Sequence, residues 1–147
     1  MQKDDAISTL NNLISIAKDG VKGMSAAAEN AKSPALKTTL GRLSGERERV
    51  ATQLQGVVRS LGGEPDDSGT TLGTAHRVFM NIKDAITGYD DTKLLEECER
   101  GEDYAVEQFR AAVREGLPSG VGPRVESCLH QVKKSHEEIK ALRNTQR

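Results

Sequence analysis

The chain has 147 residues, and its net charge of −1 comes from 21 basic and 22 acidic side chains interspersed along it. Such a balance does not favour nucleic acid or an anionic membrane as a partner. No apolar run approaches the ~20 residues that a membrane-spanning helix needs, and the N-terminus lacks the basic-then-apolar order of a secretion signal. We therefore expect one cytoplasmic domain over residues 1–147, with no nucleic-acid or membrane partner.

Four long segments repeat apolar residues at spacings of three and four, which predicts four amphipathic helices. The predicted ranges are about 4–31, 34–61, 91–115 and 121–142, and residues 143–147 are expected to fray. Ser33 and Asp90 or Asp91 are the expected N-caps, and Gly62 is the expected end of the second helix. Only 3% of the residues are aromatic, so aliphatic and alanine side chains must fill the interior.

The links between the helices predict their order in space. The first two helices are joined by a tight turn at Ser33-Pro34 and must therefore be antiparallel neighbours. The middle link consists of a polar loop over 64–73 and a shorter amphipathic helix over 74–87, far more than a turn between neighbours requires. We therefore expect two antiparallel hairpins joined by a long crossover, with the second and third helices parallel. The alternative is an up-down bundle with the short helix across one end.

Polar residues interrupt the apolar stripes at one slot in each of the last three long helices. Arg47 stands in the second stripe, Glu102 in the third and Ser135 in the fourth, with His136 beside it. If the second and third helices are parallel, Arg47 lies ~20 Å and Glu102 ~16 Å from the same end, at a rise of about 1.5 Å per residue. We therefore expect Glu46, Arg47, Glu102, Ser135 and His136 to form one buried polar cluster halfway along the bundle.

Five short motifs, specific mainly in their combination and order, extend over nearly the whole chain. They are Leu13-Ile14 with Asp19-Gly20, Leu61-Gly62-Gly63, Gly73-Thr74-Ala75-His76-Arg77, Glu99-Arg100-Gly101-Glu102 and Ser135-His136-Glu137-Glu138-Ile139. In these residues the chain resembles a bacterial family of four-helix proteins, domain of unknown function 2383 (DUF2383), in the ferritin-like superfamily. The resemblance implies an all-α fold, the ferritin-like four-helix bundle with its long crossover.

Ferritin-like di-iron proteins place one Glu on each of two helices and Glu-x-x-His on each of the other two. This chain departs from that pattern. Arg49 stands three residues after Glu46, where a histidine is needed, and Lys133 stands three residues before His136, where a carboxylate is needed. Asp19 is the acid at a suitable height on the first helix, but it points away from the apolar stripe and is predicted to face solvent. We therefore expect a degenerate di-iron site.

Two interpretations of the polar cluster stay open. In the first, which we favour, Arg47 and Glu102 form a buried ion pair, and Ser135 and His136 complete its hydrogen bonds. Such a pair fixes the register of the helices more surely than it adds stability, and no cofactor is expected with it. In the second, Glu46, Glu102 and His136 hold one weakly bound iron or manganese ion.

The two cysteines are expected to be free thiols. The predicted turns place Cys98 and Cys128 ~15 Å apart along the bundle, whereas the Cα atoms of a disulfide lie within about 7 Å. Free thiols agree with a reducing compartment.

Three functions fit these features. We favour a non-enzymatic binding or structural protein that contacts a protein partner or a second copy of itself as a homodimer. Gly20 and Gly23, with Ala26 and Ala27 nearby, offer a patch of small residues on which another helix can pack. The alternatives are a metal-binding or redox protein and a carrier of a small apolar ligand. An enzyme is less favoured, because the sequence has no phosphate-binding glycine loop and no nucleophile–base pattern.

Overall fold

The structure is a computed structural model, and it describes residues 2–66 and 88–145. These residues form four long helices: α1 (Lys3–Asn30), α2 (Pro34–Ser60), α3 (Asp91–Arg114) and α4 (Gly122–Thr145). The prediction of a four-helix bundle is confirmed, and α4 includes residues 143–145, which were expected to fray. The predicted short helix over 74–87 lies outside the described residues. No helix in the described part of the chain is both long enough and apolar enough to cross a membrane.

Local signals in the sequence set the helix ends. The Ser33 side chain accepts a hydrogen bond from the backbone N–H of Leu36 at 3.3 Å, and Asp90 accepts one from Lys93 at 2.8 Å. Both are N-caps that satisfy an amide the helix itself leaves unpaired. At the other end of α2, Gly62 adopts a φ of +82°, a left-handed conformation that glycine takes without steric cost.

A contact at one end of the bundle establishes the topology. The two carboxylate oxygens of Asp91 accept hydrogen bonds from the backbone N–H groups of Lys32 (2.8 Å) and Ser33 (3.0 Å). Because α3 begins beside the turn at which α2 begins, these two helices run parallel. Helix α1 packs against α2 and α3, and α4 packs against α2 and α3. The prediction of two antiparallel hairpins joined by a crossover is therefore confirmed.

A polar level divides the apolar core in two. One apolar cluster lies on the side of the α1 N-terminus, and the other on the side of the α1–α2 turn. Between them lie four buried residues, one chosen from each described helix, that we call the central layer: Gly20, Arg47, Glu102 and Ser135. The apolar clusters thus hold the four helices together on both sides of a charged centre.

Candidate functional site

The central layer is held together by hydrogen bonds across three helices. Arg47 Nη2 donates to Glu102 Oε1 at 2.8 Å, to Glu102 Oε2 at 2.6 Å and to Ser135 Oγ at 2.9 Å. The Ser135 hydroxyl lies 3.2 Å from Glu102 Oε2 and 3.0 Å from the carbonyl oxygen of Val132, so it has an acceptor on its own helix. The structure therefore brings together three of the predicted cluster residues, on α2, α3 and α4.

Burial makes this ion pair energetically important. Arg47 is 2% exposed and Glu102 is 0% exposed. Transferring either charge from water to a protein interior costs several kcal/mol, and the attraction between the two offsets that cost only when the geometry is good. Each charged group therefore depends on the other, and neither has water as a substitute.

Gly20 provides the space in which the Arg47 side chain lies. A Cβ atom at Gly20 would be 2.9 Å from Arg47 Nη1 and 3.4 Å from Arg47 Cγ. Nη1 is buried, and it makes no hydrogen bond to any of the residues that the structure describes. The arginine thus crosses the centre with one nitrogen on Glu102 and the other against the backbone of α1.

Two residues expected in the buried cluster lie outside it. The Glu46 side chain is 36% exposed and accepts a hydrogen bond from Arg42 at 2.6 Å on the surface of α2. The His136 imidazole faces the outer groove between α3 and α4, where its Nε2 pairs with Asp103 and its Nδ1 lies 3.6 Å from Glu137. The expected cluster of five is therefore corrected to Arg47, Glu102 and Ser135, with Gly20 as the fourth member of the layer.

Two expectations about α1 were wrong. Asp19 was expected to face solvent, but it is 2% exposed, because α1 is buried well beyond its single predicted stripe. The small-residue patch expected to seat another helix is also largely interior. Gly20, Gly23 and Ala27 are buried, and Arg47 covers Gly20.

The donors at the centre do not fit a ferritin-like metal centre. Within residues 2–66 and 88–145, no three His, Cys, Asp or Glu side chains come close enough together to hold a metal ion. Glu102, the buried carboxylate of the layer, already has both oxygens on the Arg47 guanidinium. A divalent ion there would lie beside a fixed positive charge, which raises the cost of binding it.

Both cysteines are buried free thiols, as expected. Burial, together with the negative charges of Glu102 and Glu97, raises the pKa of Cys98 to about 12. Burial raises the pKa of Cys128 to about 11, although the nearby Arg124 cation opposes the change. Since the thiolate is the reactive form, neither group is suited to act as a nucleophile or a metal ligand near neutral pH.

Gly20 is the central-layer residue that the sequence did not assign. The sequence predicts that Gly20 belongs to a patch of small residues on which another helix can pack, not to the polar cluster. A signal was nevertheless present. Gly20 lies between Ala17 and Met24 in the spacing of three and four, the same kind of slot that Arg47 occupies in α2.

The family model described as domain of unknown function (DUF2383) matches residues 5–115, which include α1 from its third residue onward, α2, α3 and the link between α2 and α3. The chain belongs to the DUF2383 family. This confirms the resemblance found in the sequence. No curated protein sequence matches the chain.

A solved structure has a similar fold. It is a dodecameric thioferritin, the bacterioferritin-related protein from Bacteroides fragilis, with a TM-score of 0.73 and 14% sequence identity. The match covers 99% of this chain and 85% of the other. At this identity the similarity establishes that this DUF2383 chain has the ferritin-like fold.

Proposed function

We propose that this DUF2383 chain is a non-enzymatic ferritin-like protein that binds a second copy of itself or a protein partner. Its di-iron site is degenerate, and an ion pair takes the place of the metal. The observation that carries the proposal is the Arg47–Glu102 pair at the centre of the bundle. In a ferritin-like fold the centre is where the metal-binding carboxylates point. Here a guanidinium and a carboxylate satisfy each other at that place.

Burial of the pair supports a role outside catalysis. A substrate would have to separate the helices to reach Arg47 or Glu102, since both residues are buried. The hydrogen bonds between them also leave neither carboxylate oxygen of Glu102 without a donor. A carboxylate with both oxygens bonded to a guanidinium is poorly placed to act as a general base or a metal ligand.

The metal-binding alternative has less support from the site. It requires Glu46, Glu102 and His136 to share an iron or manganese ion. Glu46 is on the outer surface of α2, His136 faces the groove between α3 and α4, and Glu102 is in the interior. A shared ion would therefore need at least two of the three side chains to change direction.

Self-association is the form of binding that we consider first. The solved structure with a similar fold is a dodecamer, so the ferritin-like bundle is an architecture that can pack against copies of itself. Homo-oligomers with closed symmetry are also the commonest assemblies of such chains. The mass in solution tests this directly, because one chain is 15.9 kDa and any closed assembly is a whole multiple of that mass.

The experiment combines metal analysis with mass measurement on the same preparation. Protein purified without chelator is expected to contain no stoichiometric iron or manganese, and its light-scattering mass is expected to be at least twice that of one chain. A stoichiometric metal that is lost in both Glu102→Gln and His136→Ala would overturn the proposal that the di-iron site is degenerate. A mass of one chain at all concentrations, with no partner recovered by cross-linking in cells, would overturn the proposal that the protein works by binding.

A further inference from the structure

The hydrogen bonds at the centre converge on one nitrogen. Both oxygens of Glu102 and the hydroxyl oxygen of Ser135 lie 2.6–2.9 Å from Nη2 of Arg47. In the usual fork geometry, two different guanidinium nitrogens each bond one carboxylate oxygen. In the present arrangement one guanidinium nitrogen has three oxygen neighbours, which come from two helices.

The other terminal nitrogen of the guanidinium contributes little to this arrangement. Nη1 of Arg47 is buried without a hydrogen bond to the described residues, and it occupies the space beside Gly20 where a Cβ atom would otherwise lie. A buried donor without an acceptor costs free energy. Glu102 and Ser135 therefore bond one terminal nitrogen of Arg47 and leave the other without a hydrogen bond to the described residues.

We propose that Glu102 and Ser135 form a point-cation site at the centre of the bundle, that is, a site whose oxygens surround one nitrogen of a cation. The chain fills this site with its own Arg47. Gly20 is the positioning residue that makes room for Nη1, the arginine nitrogen without a hydrogen bond to the described residues. The separations of 2.6–2.9 Å suit a nitrogen cation. The ligand class is therefore an amine, ammonium or guanidinium group, and the assignment does not depend on self-association.

The first test uses lysine, which carries a point charge in place of the fork. We expect Arg47→Lys to keep a clearly higher melting temperature than Arg47→Met, which has similar bulk and no charge. In a Glu102→Gln background that advantage of lysine should disappear. An Arg47→Lys variant no more stable than Arg47→Met, or an advantage of lysine that persists without the Glu102 charge, would overturn the point-cation site.

Gly20 is tested in the same variants. Gly20→Ala should lower the melting temperature of the natural chain by about 3 °C or more, because the new methyl group meets Nη1 of Arg47. In the Arg47→Lys background, which has no Nη1, Gly20→Ala should leave the melting temperature unchanged or raise it, since alanine favours helix. An equal loss in both backgrounds would show that Gly20 does not position the arginine nitrogen.

A cation supplied from solution provides an independent readout. Arg47→Ala leaves the Glu102 carboxylate without its partner, and millimolar guanidinium or ammonium should raise its melting temperature relative to NaCl and tetramethylammonium at equal ionic strength. Arg47→Ala/Glu102→Gln should not respond. A response that is the same with and without the Glu102 charge, or no response from a folded Arg47→Ala protein, would refute the site. If Arg47→Ala does not fold, the lysine and Gly20 comparisons decide the matter.

Discussion

Removing the charge of Glu102 is the sharpest test of how the bundle centre is stabilised. Glu102→Gln keeps the shape of the side chain but leaves the buried Arg47 guanidinium without a counter-charge. Breaking a buried ion pair from one side costs about 3–5 kcal/mol, because the remaining charge has no water to replace its partner. With a urea slope of about 2 kcal/mol/M, this corresponds to a decrease of about 2 M in the urea midpoint.

The chain supplies its own control for this substitution. Lys18 and Glu48 form an ion pair at 2.8 Å between α1 and α2, and the Glu48 side chain is 46% exposed. Because solvent already screens this pair, Glu48→Gln should cost less than about 1 kcal/mol. Both variants are compared by urea denaturation followed by circular dichroism. Equal losses of unfolding free energy in the two variants would refute the argument that burial decides the effect.

The double variant Arg47→Met/Glu102→Leu separates the charge from the packing. Replacing both members of a buried pair with apolar residues of similar size is often neutral or stabilising, by about 1–4 kcal/mol. The Ser135 hydroxyl would keep its acceptor on α4, the carbonyl oxygen of Val132. We therefore expect the double variant to regain most of the stability that Glu102→Gln loses. A double variant as unstable as the single one would show that the layer stabilises the fold by something other than charge compensation.

Three further predictions concern the thiols, the end of α2 and the contact that orients α3. Burial raises the pKa of Cys98 to about 12 and of Cys128 to about 11, so the folded protein keeps protons that the unfolded chain releases. The contribution of the two thiols to the free energy of unfolding should be complete below pH 9. It should decrease as the pH rises toward 11 and 12, by at most about 1.4 kcal/mol per thiol and pH unit. Between pH 8 and pH 10, urea denaturation should therefore show a smaller decrease in unfolding free energy for Cys98→Ala/Cys128→Ala than for the natural chain. In urea denaturation, Gly62→Ala should lower the free energy of unfolding by about 1–2 kcal/mol, because Gly62 has a φ of +82°. Gly45 faces open space on α2, so Gly45→Ala should raise the free energy of unfolding by up to about 1 kcal/mol. Asp91→Ala should lose about 1–3 kcal/mol because two backbone N–H groups of the α1–α2 turn lose their acceptor, and a melting temperature equal to that of the natural chain would contradict this.

The sequence by itself determined the bundle and the height of its charged centre. Spacings of three and four predicted the buried faces of α2, α3 and α4, and Ser33, Asp90 and Gly62 marked helix ends through local backbone chemistry. The length of the middle link indicated the crossover. Because the helical rise is constant, counting residues from the turns was enough to place Arg47 and Glu102 on one level.

Only the tertiary structure decided which neighbouring side chain enters the centre. Successive residues of a helix point about 100° apart, and Ser135 and His136 lie equally near the predicted stripe. The packing of α3 against α4 directs Ser135 inward and His136 to the outer groove. Glu46 and Arg47 are separated in the same way. The burial of Asp19 and the fit of Arg47 against Gly20 depend on how closely α1 and α2 approach, which is a property of the packed helices and not of either helix alone.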